Sequence, residues 1–191
     1  DGRYLAHDDY VGNVWLFDLT KNSNKLLVKN GEGLGPYQDV VWSPNSQYIA
    51  LTKAELGKQR PQIVLVSVTD NKQQSLTTDK YESFSPSFSP DGHWLYFLSN
   101  RHFKATPSSP WGDRNMGPVF DNRTQVFALA LTNQAQFPFQ APNELLTQAE
   151  VKDATEVDWH NVNQRLWQVP LAPANYSQLS VTDKALYLLD T

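Results

Sequence analysis

Residues 89–100 read Ser89-Pro90-Asp91-Gly92-His93-Trp94-Leu95-Tyr96-Phe97-Leu98-Ser99-Asn100, a turn that runs directly into an apolar stretch. Pro fixes φ before the turn, Asp bonds back to its own backbone and Gly accepts a positive φ, so the first four residues reverse the chain. The run behind them reads as a buried strand. The pattern recurs as Ser43-Pro44-Asn45-Ser46-Gln47-Tyr48-Ile49-Ala50 and as Asp1-Gly2-Arg3-Tyr4-Leu5-Ala6, with 44 residues from Tyr4 to Tyr48 and 46 from Tyr48 to Trp94. That spacing marks an internal repeat.

A second segment follows each of these: Asn13 to Leu19, Gln62 to Val68 and Gln125 to Leu131. All three are short, β-branched or aromatic, and bounded by polar turn residues, the composition of strands. Lys25-Leu26-Leu27-Val28 and Gln74-Ser75-Leu76-Thr77 read as outer strands, and Asp39-Val40-Val41-Trp42 and Ser87-Phe88 as inner ones. Four strands in a unit of about 45 residues predict an all-β chain of β-propeller blades packed around a channel. The long 3.6-period apolar faces of a helical solenoid are absent, and only 143–151 reads as a short helix.

The third unit breaks the period, because Leu95-Tyr96 finds its next counterpart at Leu186-Tyr187. Hairpin loops usually take 2 to 5 residues, so insertions at about 101–123 and 132–158 account for the excess, with Gln164 to Val169 as the outer strand. The expected blades are about 1–30, 37–80, 84–170 and an incomplete 176–191, a propeller fragment of three blades and part of a fourth. Because the chain opens in the middle of a repeat, its natural start and any targeting signal are expected upstream.

Composition narrows the function. With 191 residues, 40% hydrophobic and 12% aromatic, the chain has material for a packed core. The net charge of -4 offers no field for a phosphate backbone, so nucleic acid is not an expected partner. There are no cysteines, hence no disulfide framework and no thiolate metal site. No apolar stretch reaches the roughly 18 residues needed to span a bilayer.

No Gly-x-Ser-x-Gly elbow is present, and Ser43, Ser85 and Ser89 stand where hydroxyls cap turns, so no catalytic residue is assigned. His7, His93, His102 and His160 lack metal-ligand spacing. His7-Asp8-Asp9 reads as a solvated turn rather than a cation loop, and Asp153, Glu156 and Asp158 as an acidic loop. No metal and no cofactor is expected. Trp15, Trp42, Trp94, Trp159 and Trp167 fall in or beside predicted strands and are assigned to inter-blade core. Trp111 differs, since it sits in a Pro- and Gly-rich loop with Arg114. Long ordered loops on rigid scaffolds collect binding groups, which makes Trp111 and Arg114 the candidate peptide-binding residues; Arg114 could hold a carboxylate or simply pair with Asp113 or Asp121.

The run Pro107-Ser108-Ser109-Pro110-Trp111-Gly112-Asp113-Arg114-Asn115-Met116-Gly117-Pro118, with Phe137-Pro138-Phe139 and Gln164 to Leu171 behind it, resembles the propeller of bacterial tricorn-type proteases. The resemblance extends over essentially the whole chain. It implies the second, seven-bladed propeller of a large serine peptidase of the carboxy-terminal processing superfamily, in which the propellers are noncatalytic and guide or filter peptides. The implied partners are peptide substrates, the remaining blades and the catalytic domains, with a homo-oligomer and a periplasmic setting as further expectations. The Ser, His and Glu that catalyse in that family belong to domains not represented here. Two other readings stand beside it: an interaction scaffold of the TolB or WD-repeat kind, and the lid propeller of a prolyl-oligopeptidase-type enzyme.

Overall fold

The turns that define the repeat close in the same way each time. Ser43 Oγ donates to Asn45 Oδ1 at 2.7 Å and accepts the Tyr48 amide at 2.9 Å. Ser89 Oγ repeats this with Asp91 Oδ1 at 2.5 Å and the Trp94 amide at 3.0 Å. The third residue on from each serine takes positive φ, 58° at Ser46 and 73° at Gly92, as a tight reversal requires.

In the computed structural model, residues 2–30, 37–54, 57, 60–105, 120–133, 135–140 and 156–191 are described. The strands are β1 (Tyr4–Asp8), β2 (Val14–Asp18), β3 (Ser23–Val28), β4 (Gln38–Trp42), β5 (Tyr48–Lys53), β6 (Gln62–Ser67), β7 (Gln73–Ser75), β8 (Ser83–Phe88), β9 (Trp94–Asn100), β10 (Thr124–Ala130), β11 (Leu166–Gln168), β12 (Tyr176–Val181) and β13 (Leu186–Asp190). They form four antiparallel sheets in chain order: β1-β2-β3, β4-β5-β6-β7, β8-β9-β10-β11 and β12-β13. This is the β-propeller fragment that the repeat predicts, all-β, with two full four-stranded blades between two smaller sheets. The 143–151 helix lies outside the described residues.

Alternation along the central strands builds the cores. In β5, Ile49 and Leu51 point toward the first sheet, whereas Tyr48 and Ala50 point toward the third. In β9, Leu95 and Phe97 face the second sheet, while Trp94, Tyr96 and Leu98 face the fourth. Both faces are therefore buried, which explains why these strands read as continuous apolar runs instead of alternating ones.

Two tryptophans depart from expectation. Trp167 stands on outer strand β11 and is 44% exposed, with one face stacked on Phe137 at 5.1 Å. Trp15 is half-buried, and its indole Nε1 donates to Asp9 Oδ2 at 2.7 Å. Trp94 lies fully in the core, and Trp42 and Trp159 pack at core margins.

The two long connections leave opposite ends of the third sheet. β9 ends and β10 begins at the end where the inner strands start, so the 101–123 connection belongs there. The connection from β10 to β11 belongs to the end that carries the Ser-Pro turns.

Candidate functional site

The inner strands β4, β8 and β12 form the wall that a propeller turns toward its channel. Each carries a register shift, between Gln38 and Val41, between Phe84 and Ser87, and between Tyr176 and Gln178. A bulge bends the strand and re-aims its side chains. Asp39 and Ser85 occupy corresponding places with φ of 52° and 51°. Asp tolerates the left-handed region, and Pro86, which has no N–H to give to a ladder, fits an edge strand at its bulge.

The re-aimed side chains tie neighbouring blades together. Asp39 Oδ2 accepts Thr52 Oγ1 from its own sheet and the Ser85 amide from the next, both at 3.0 Å. Ser85 Oγ in turn accepts the Leu179 amide at 2.9 Å, and Ser87 Oγ the Val181 amide at 3.1 Å. Ser85, expected to cap its own turn, instead satisfies the backbone of the following blade. Edge-strand amides that a ladder leaves open are thus satisfied by side chains from one blade to the next.

Where the inner strands begin, a cavity of about 550 Å³ opens, lined by Gln38, Asp39, Glu82, Asn100, Arg123 and Asn175 among others. A shallower hollow of about 370 Å³ continues from Asp39 past Ser85 to Gln178 and Ser180. Asn100 donates to Glu82 Oε2 at 2.5 Å and accepts Thr124 Oγ1 at 2.7 Å, which fixes the amide at the floor. Amides and hydroxyls that both donate and accept suit an extended polypeptide backbone.

Trp111 and Arg114 lie outside the described residues. The connection that holds them is anchored at Asn100 and Thr124, both on the cavity. The histidines are dispersed: His7 Nε2 meets Asn24 Oδ1 at 3.1 Å, His93 Nδ1 meets Thr132 Oγ1 at 2.9 Å, and His102 Nδ1 meets the Asn122 carbonyl at 3.1 Å. No cluster of three or more metal-ligating residues occurs among the described residues. Asp9 of the His7-Asp8-Asp9 triplet closes a turn, accepting from the Val11 and Asn13 amides, and it also accepts the side chains of Asn13 and Trp15. The Trp15 and Asn13 donors hold its carboxyl down at a pKa of about 2.

Asp158 of the acidic loop is ion-paired to Arg165 at 3.6 Å. Arg165 also donates to the carbonyls of Ala130, His160 and Asp158 and to Asn133 Oδ1, closing the second long connection. Asp153 is outside the described residues. Sequence reading missed the roles of Asp39 and Arg165, which depend on partners 46 and 35 residues away.

A family model described as the tricorn protease second beta propeller domain matches residues 1–191. The tricorn protease homolog of Saccharolobus solfataricus is 26% identical over 180 residues, covering 94% of this chain and 16% of that protein. Tricorn protease homolog 1 of Streptomyces coelicolor is 27% identical over 197 residues, covering 98% of this chain and 18% of its own length. Archaeal as well as bacterial proteins therefore share the resemblance. The crystal structure of the tricorn protease superposes with a TM-score of 0.76 at 19% identity, over 98% of this chain and 18% of that one. The chain spans less than a fifth of these proteins. Its repeat, its bulged inner strands and a match that runs from end to end place it in the family of tricorn protease second β-propeller domains.

Proposed function

We propose that this domain is a noncatalytic wall of a channel that guides or filters peptides toward the catalytic core of a tricorn-type serine peptidase. The observation that carries the reading is the polar cavity continuous with the bulged inner strands, in a chain whose whole length belongs to this family. A narrow channel admits an extended chain and rejects a folded one, because only the former can shed its own tertiary contacts and present backbone groups to amides such as Gln38, Asn100 and Asn175. The reading assigns the blades to about 1–30, 37–80, 84–170 and 176–191, and keeps Trp111 and Arg114 as channel-side peptide contacts. The other blades and the catalytic domains of the parent are its partners. Among the described residues no helix is long and apolar enough to cross a membrane.

Hydrolysis of fluorogenic peptides by the full-length protein, with a serine-reactive probe alongside and the 191-residue chain as control, tests this. Turnover and labelling in the full-length protein but not in the chain are expected. An unlabelled, inactive full-length protein that retains a stable protein partner would instead establish the scaffold reading.

A further inference from the structure

The crevices between neighbouring sheets are not alike. Between the second and third sheets, the Ser43 turn, Tyr48 and Phe88 line a space of only about 10 Å³. Val157 and Leu131 close it: the Val157 amide donates to the Tyr48 hydroxyl at 3.1 Å, and the Leu131 amide to the His93 carbonyl at 2.8 Å. Between the third and fourth sheets the same elements recur one repeat on, with the Ser89 turn for the Ser43 turn, Trp94 for Tyr48, and Val181 at the end of β12 for Phe88 at the end of β8. The crevice there measures about 560 Å³. No described residue takes the place that Val157 takes in the other.

Tyr96 and Trp94 line this larger crevice and are only 3% and 2% exposed. Neither the Tyr96 hydroxyl nor the Trp94 indole N–H has a hydrogen-bond partner among the described residues. Burial, and after it the Asp91 carboxylate, pushes the Tyr96 pKa up to about 12, so the hydroxyl stays neutral and keeps its proton to donate. A buried polar group left unpaired costs free energy that an incoming acceptor recovers. The walls beside these groups are apolar, with Pro138, Val181 and Leu186, and Phe139 at the rim is 41% exposed.

We propose that this crevice seats an extended segment of the parent polypeptide from outside residues 1–191, with an apolar side chain between Phe139 and Leu186 and a backbone carbonyl accepting the Tyr96 hydroxyl. The occupant is polypeptide because the preceding crevice is closed by polypeptide, in the same place and against the aromatic residue that corresponds to Trp94. It comes from the same molecule because the chain covers 16% and 18% of two tricorn relatives. Most of such a protein lies outside this domain, and a tethered segment reaches the crevice at high effective concentration. The crevice lies at the Ser-Pro turns and shares no lining residue with the 550 Å³ cavity where the inner strands begin. Docking there is independent of peptide guidance.

Photocrosslinking tests this, with the exposed Phe139 replaced by p-benzoylphenylalanine in the full-length protein and the crosslinked peptides identified by mass spectrometry. One segment outside residues 1–191, carrying an apolar residue at the crosslink, is expected. A mixture of ¹⁵N-labelled and unlabelled protein separates a crosslink within one molecule from one between two copies. Crosslinks between copies, crosslinks confined to residues 1–191, or no crosslink overturn the proposal and leave peptide guidance standing. Hydrogen exchange then reads the tyrosine: Tyr96→Phe keeps the ring, removes the donor and should speed exchange in the crosslinked segment about fivefold, with little change in β5. Exchange in that segment equal to wild type overturns the part assigned to the Tyr96 hydroxyl.

Discussion

Asp39 shows how one side chain can join two blades. Its Oδ2 takes donors from Thr52 and from the Ser85 amide, so Asp39→Ala orphans both and also forces alanine into a φ of 52°. A loss of roughly 1–2 kcal/mol is expected in denaturant unfolding, with Asp39→Asn, which keeps an acceptor and tolerates that backbone, costing less. Gly92 carries the same kind of constraint at φ 73°, and Gly92→Ala should lower stability by about 1 kcal/mol or more for backbone strain alone. Asp9 adds a pH signature. Its folded pKa of about 2 lies below the ordinary unfolded value of about 3.9, so its contribution is complete above about pH 4 and fades as pH falls toward 2. The acid limb of the melting temperature between pH 5 and 2 should therefore be shallower in Asp9→Asn than in wild type.

At the scale of elements, the second blade anchors the segment that returns from the third. Tyr48 on β5 accepts the buried Val157 amide at 3.1 Å and meets Trp159 edge-on at 5.9 Å. Tyr48→Phe keeps the ring and removes that acceptor, leaving an amide with no partner; about 1–3 kcal/mol should be lost. Hydrogen exchange gives a sharper reading, with faster exchange at Val157 and Trp159 and little change in β5 itself. The outer strand β11 is only three residues long, and its Trp167 stacks on Phe137, which is tilted against the core Trp94. Aromatic packing there does for the blade edge what a longer ladder does elsewhere.

For the molecule as a whole, β1 and β13 stand at sheet edges among the described residues, each paired on one side. Tyr187 and Leu189 on β13 are 60% and 50% exposed, and Leu5 on β1 is 55% exposed. Open apolar edges invite pairing with another chain. The 191-residue chain produced alone is expected to associate with rising concentration in light scattering, and Leu189→Lys with Leu5→Lys to suppress this without changing the far-ultraviolet spectrum. The two long connections of the third sheet leave it at opposite ends.

The repeat was legible from sequence because its physics is local. Ser-Pro-Asp-Gly specifies its turn within four residues, and an apolar strand buried on both faces declares itself by composition, so strand order and the inserted blade follow from reading along the chain. The run around Trp111 likewise carried the family resemblance without any contact being known. What tertiary structure alone decided is everything that joins one repeat to another. Asp39 capping Ser85, Ser85 capping Leu179, Arg165 gathering the carbonyls of a distant loop, and Arg101 lying against the Tyr81 and Phe127 rings all depend on which residues stand side by side in space. Bulges set those pairings by shifting register, and a shift of one residue changes the face to which every later side chain points.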